Sequence, residues 1–113
     1  MIDKLLKLVE RYDILAEKMS TPDIISNEPG FYKEGEYGIR IENIIVVKEL
    51  NKDLLKFENI SWAPIDRDLI EPKMLNENEL KWINEYHQSV YQKIGQFLSP
   101  EEKRWLQKVT MPL

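Results

Sequence analysis

Between Tyr37 and Val47 the sequence passes from alternation to a continuous apolar run. Ile39 and Ile41 are separated by Arg40 and followed by Glu42, whereas Ile44, Ile45, Val46 and Val47 are consecutive and β-branched. Side chains branched at Cβ suit pleated backbone, and an uninterrupted run predicts a strand that becomes more buried as it proceeds, covered on both faces by its end. A second strand is expected from Phe57 to Pro64, with Phe57, Asn59 and Ser61 on one side and Glu58, Ile60 and Trp62 on the other. Leu50 to Leu55 is polar and reads as the turn that would join the two in an antiparallel hairpin. A small sheet of this kind needs helices to cover it, and the rest of the chain offers them.

Residues 2 to about 19 read as an amphipathic helix, with Leu5, Leu6, Val9, Tyr12, Leu15 and Met19 at helical spacing. It should stop before Ser20-Thr21-Pro22, because proline disfavours helical backbone at the residue ahead of it. Asn27-Glu28-Pro29-Gly30 is a turn signal, followed by a polar loop carrying Gly35 and Gly38. Asn76 followed by Glu79 is a capping box that opens a helix with Leu80, Ile83, His87, Val90, Tyr91, Ile94 and Leu98 on one stripe. Ser99-Pro100-Glu101-Glu102 opens another, with Ser99 as cap, Pro100 at the first helical position and Trp105, Leu106 and Val109 as the apolar face. The expected fold class is α+β: an N-terminal helix, a small antiparallel sheet and two C-terminal helices.

Composition narrows the function classes. At 113 residues the chain has room for one modest core, and 42% hydrophobic with 32% charged residues places it among soluble globular proteins rather than disordered ones. A net charge of −4 argues against a general phosphate-binding surface, so nucleic acid is not an expected partner. Without cysteine there is no disulfide, thiolate metal site or thiol nucleophile. Apolar runs as short as Ile44–Val47 cannot span a bilayer, and Met1-Ile2-Asp3-Lys4 lacks the layout of a secretory leader, so a cytoplasmic protein is expected.

Two stretches carry a resemblance. Ile24-Ile25-Ser26-Asn27-Glu28-Pro29-Gly30-Phe31-Tyr32 and Tyr37-Gly38-Ile39-Arg40-Ile41-Glu42-Asn43 are similar to the segments that bring in two metal-bridging glutamates in the Xaa-Pro aminopeptidases (aminopeptidase P, of the M24 metallopeptidases). Ala63-Pro64-Ile65-Asp66-Arg67-Asp68-Leu69-Ile70, Glu79-Leu80-Lys81-Trp82-Ile83-Asn84-Glu85-Tyr86-His87 and the closing Met111-Pro112-Leu113 resemble the C-terminal end of the same family in the same order. The resemblance covers residues 24–113 and implies part of a pita-bread fold. It also implies a dinuclear site, usually of manganese, with Glu28 and Glu42 as bridging ligands and Arg40 as a hydrogen-bonding support beside them. The family's metal set of Asp, Asp, His, Glu and Glu is incomplete here, because the 27 residues ahead of Glu28 contain no histidine and Asp3, Asp13 and Asp23 do not resemble the missing motifs. Residues 1–26 are similar instead to the N-terminus of a bacterial class-one peptide chain release factor, which divides the chain at residues 1–22 and 23–113.

These readings predict a catalytically inactive, truncated remnant of a metalloaminopeptidase fused to a release-factor-like helix, with no cofactor in the isolated chain. They also predict a homo-oligomer or a companion chain, and Xaa-Pro peptides as substrates only where the site is completed. Two other classes stay open: one part of a split aminopeptidase whose companion supplies Asp, Asp and His, and a helix-mediated interaction module. The plainer readings stand beside them. Glu28 and Glu42 as a salt-bridged surface pair, His87 as a packed or hydrogen-bonded side chain rather than a metal ligand, Ser99 as a helix cap, and Trp62, Trp82 and Trp105 as core or interface anchors each need no chemistry.

Overall fold

The computed structural model describes residues 23–52 and 54–113, and these fall in two compact units divided between Ser61 and Trp62. The first unit is built on one long antiparallel hairpin. Its arms are interrupted, so that β1 (Ile24–Asn27) pairs with β4 (Asn43–Asn51) while β2 (Gly30–Lys33) pairs with β3 (Tyr37–Arg40). The register does not change across the interruption. Asn27 faces Asn43, and three steps further along each arm Gly30 faces Arg40. The hairpin closes at Lys33–Glu36, where the Glu36 N–H donates to the Lys33 carbonyl at 3.1 Å and Gly35 takes φ +71°, a left-handed conformation open to glycine at little cost. A third strand, β5 (Leu54–Asn59), pairs with β4 to give the sheet order β1-β4-β5.

The sheet departs from the sequence reading in several places, the first being the turn expected at Asn27–Gly30 and the loop through Gly38, where β1, β2 and β3 form strands because each finds a partner across the hairpin. Tyr37–Val47 is not one strand: β3 and β4 lie in different ladders, separated at Ile41-Glu42. The turn expected over Leu50 to Leu55 does join β4 and β5 as an antiparallel hairpin but narrows to the step between the paired Asn51 and Leu54, and β5 runs Leu54–Asn59 rather than Phe57–Pro64. Pairing across β4 and β5, with Lys48 bonded to Glu58 at 2.8 Å, outweighs the polar composition that suggested a loop. Ile45, Val46 and Val47 are buried, Val47 to 1% exposure, but Ile44 is half-exposed on the face it shares with Glu42 and Arg40.

The second unit is helical. Glu71 and Asp66 each open a single 3-10 turn, and then α1 (Glu77–Ile94) and α2 (Pro100–Val109) follow. Both capping boxes form: Asn76 accepts from the N–H groups of Asn78 and Glu79 while Glu79 accepts from the Asn76 N–H, and Ser99 and Glu102 do the same. Tyr86, Val90 and Leu106 make the core, with Trp62, Ile65, Tyr91, Ile94, Leu98 and Val109 packed against it. Tyr86 lies near-parallel between two indoles, 6.1 Å from Trp62 and 5.6 Å from Trp82. Trp105, expected on the buried face of α2, is 58% exposed, and Leu106 alone of that turn is enclosed. The expected N-terminal helix over residues 2–19 lies outside the described residues. Leu106→Ala should therefore lower the unfolding free energy by about 2–5 kcal/mol in urea titration, the range for an emptied aliphatic site. Trp105→Ala should cost less than about 1 kcal/mol.

Candidate functional site

Glu28 and Glu42 sit at the interruption of the hairpin, one on each arm. The rung before them is Asn27 against Asn43, and the next contact beyond is the Ile41 N–H donating to the Pro29 carbonyl at 3.1 Å. Held between two paired positions of one antiparallel register, the two glutamates stand opposite each other. Pro29 has no N–H to give, which suits a place where the ladder is broken.

Alternation along a strand then decides which residues share the glutamates' face. Ser26, Gly30 and Tyr32 on one arm lie on it with Gly38 and Arg40 on the other. The Tyr32 ring lies flat over both glycines, so close that a Cβ at Gly30 or Gly38 would stand 2.6 or 2.7 Å from its atoms. The face is kept low, and Arg40 reaches along it. Its NH1 lies 3.4 Å from Glu28 Oε2, and its Nε lies 3.4 Å from Glu42 Oε2. Ser26 Oγ donates to the other oxygen of Glu28 at 2.6 Å. The three charged side chains are about half-exposed, so each ion pair contributes on the order of 0–1 kcal/mol and serves chiefly to orient.

The opposite face carries a chain of amides. Asn27 Nδ2 donates to Asn43 Oδ1 at 2.9 Å, Asn43 Nδ2 donates to Asn59 Oδ1 at 2.7 Å, and Asn59 Nδ2 donates to the Ser61 carbonyl. Asn43 is buried, and its sequence neighbour Glu42 is exposed. The ladder crosses all three strands of the sheet and fixes the rung from which Glu28 and Glu42 project. Sequence reasoning chose the two glutamates and Arg40 but missed these amides, because asparagine in a chain of ordinary composition reads as turn or surface.

The described residues do not by themselves fit a dinuclear metal centre. No group of three or more His, Cys, Asp or Glu side chains among them is placed to hold a metal ion. Two carboxylates offer few donors for two ions that each take about six, and the space between them is shared with a guanidinium. The single histidine does not add to the pair. His87 belongs to the second unit and is wholly buried there, where its Nε2 accepts from the Ile65 N–H at 3.2 Å. Ser99 caps α2, as its sequence context implies.

Known proteins resemble the chain over most of its length. Residues 53–113 match the description "C-terminal region of peptidase_M24". Proteins named "Probable Xaa-Pro aminopeptidase P" from Aspergillus flavus and Aspergillus fumigatus are 44% and 45% identical to the chain over 100 residues, covering 80% of it. A protein of the same name from Coprinopsis cinerea is 44% identical over 98 residues. Among solved structures, the X-prolyl aminopeptidase from Caenorhabditis elegans, titled a cytosolic enzyme with a di-nuclear active site, superposes with a TM-score of 0.72 at 30% identity over 80% of this chain. The chain spans about 15% of the length of the Aspergillus relatives and 16% of the C. elegans chain. The comparisons give no support to the likeness of residues 1–26 to a release factor. No helix among the described residues is long and apolar enough to cross a membrane.

The opposed register has a direct test, since the chain has no cysteine of its own. Facing residues of an antiparallel pair have Cα atoms about 4.5–5.5 Å apart, within the roughly 4.4–6.8 Å span of a disulfide. The double variant Glu28→Cys, Glu42→Cys should close an intramolecular disulfide under mild oxidation, read by mass and thiol count. The offset pair Glu28→Cys, Ile44→Cys should lag far behind, and equal rates would contradict the register.

Proposed function

The chain belongs to the M24 peptidases, of which it carries the C-terminal region, and on that premise we propose that it contributes two bridging carboxylates to a dinuclear Xaa-Pro aminopeptidase centre without forming that centre alone. The observation that carries this reading is the opposition of Glu28 and Glu42 on one exposed face, with Arg40 bonded to both. Carboxylate oxygens are the donor class that manganese and similar hard ions select. The ions, when bound, would supply Lewis acidity and an activated water. The part of this chain is to hold the two carboxylates facing each other. Arg40 sets their orientation, and the asparagine ladder holds the strands in step beneath them.

Asp, Asp and His donors of the family pattern are to come from polypeptide other than the residues described, so on this reading residues 23–113 are catalytically silent by themselves. This reading requires a segment that brings those donors, in the same polypeptide or on a companion chain, and Xaa-Pro peptides are the substrates of the completed site.

Purified alone, the chain should not hydrolyse an Xaa-Pro peptide with or without added manganese. Turnover above background that vanishes in Glu42→Ala would overturn the proposal. Manganese titrated by calorimetry should bind no more tightly than the millimolar range of weak oxygen-donor sites, about 10⁻⁴–10⁻³ M at best. Added to an Xaa-Pro aminopeptidase polypeptide that lacks this region but keeps its Asp, Asp and His, the chain should restore turnover, and Glu28→Ala or Glu42→Ala should abolish that rescue.

A further inference from the structure

The second unit encloses a histidine that the proposed site does not use. His87, the only histidine of the chain, has no exposed surface. Its ring is held by one hydrogen bond, in which the Ile65 N–H donates to Nε2 at 3.2 Å. An imidazole nitrogen can accept only while it carries no proton, so the ring is neutral and its hydrogen sits on Nδ1. Nδ1 is buried and has no hydrogen-bond partner among the described residues.

The surroundings resist a second proton. Arg67 is the charged group that bears on the ring, and it has the same sign as an imidazolium. Its guanidinium is anchored to the carbonyls of Lys108 at 3.4 Å and Pro112 at 2.8 Å, while its Nε is buried without a partner among the described residues. Tyr86 is tilted against the ring at 6.0 Å with its hydroxyl donated to the Ala63 carbonyl at 2.8 Å. The nearby acids are turned to other work. Asp66 accepts from the Asp68 N–H, Asp68 is exposed, and Glu85 is exposed beside Lys81. Burial first, and then the charge of Arg67, push the imidazole below its ordinary 6.5.

We propose that His87 is an acid-sensitive latch that holds the extended segment Trp62–Asp66 on α1. Protonation puts a hydrogen on Nε2 that points at the Ile65 N–H, so an acceptor becomes a second donor and the bond is lost. The same event places a positive charge in an enclosed site beside Arg67. The segment must then leave α1 so that the imidazolium can reach water, and the Trp62 ring stacked on Tyr86 leaves with it. The sign follows from linkage. The folded form takes up its proton only below 6.5, so the stabilising contribution is complete above 6.5 and declines as the pH falls beneath it.

A lone histidine makes the test unambiguous. Long-range nitrogen NMR on the full chain labelled with ¹⁵N should show the neutral tautomer protonated at Nδ1 at pH 7. Acid titration should protonate the ring only below 6.5, together with loss of the folded Ile65 amide signal. The folding equilibrium constant should fall by up to about tenfold per pH unit across that window. His87→Gln keeps a carbonyl acceptor that does not titrate, and its stability should be flat from pH 7.5 to 5. A ring that titrates at its ordinary value with the Ile65 amide undisturbed would overturn the proposal. So would a His87→Gln variant that loses stability in acid as steeply as the natural chain. The NMR titration decides the matter on the natural chain even where the variant does not fold.

Discussion

The amide chain from Asn27 through Asn43 to Asn59 is the constraint on which the first unit depends. An enclosed amide without a partner costs roughly 1–3 kcal/mol, so the three strands are held where each side chain finds the next. A slip of one residue would turn the amides outward and bring Glu28 and Glu42 onto the buried face. Correct pairing and correct presentation of the carboxylates are thus one requirement. It also explains how two glutamates fourteen positions apart come to share a face without any long loop to carry them.

Placing two carboxylates opposite each other raises a repulsion that Arg40 answers. Its guanidinium has nitrogen donors facing both ways, and it uses NH1 toward Glu28 and Nε toward Glu42. A lysine ammonium would offer a point charge and could not fix two directions at once. Arg40 can reach both because the glycines at 30 and 38 leave the Tyr32 ring lying low over the strands. The pair is therefore organised by groups of its own chain, and an ion that binds there meets carboxylates already shared with a cation.

The starts of both α-helices of the second unit were legible to the residue, and the reason is local. A capping box is written in four consecutive positions, as at Asn76–Glu79 and Ser99–Glu102, and needs nothing distant to operate. The resemblance singled out Glu28 and Glu42, and Gly35 midway between them is the signal from which their opposition across the hairpin could have been read. The hairpin itself was hidden, because β1 and β2 are four residues each and are stabilised by pairing rather than by composition. Trp105 failed for the same kind of reason. Helical periodicity marks a face, but whether a neighbour covers that face is decided in three dimensions.

The two units rest on different physics, and the difference bears on how each responds to change. The first depends on directional contacts, namely one register, a ladder of amides and a guanidinium between carboxylates. Such contacts specify position strongly and contribute little net free energy each. The second depends on enclosure, with Leu106 and Val90 almost wholly buried and Tyr86 held between Trp62 and Trp82. Enclosure is worth more per residue but tolerates exchange of one apolar group for another of similar volume. His87 is the exception, a directional polar contact set within an enclosed core. A polar group in that position has no water to fall back on, so its protonation state becomes a property of the whole unit rather than of one side chain.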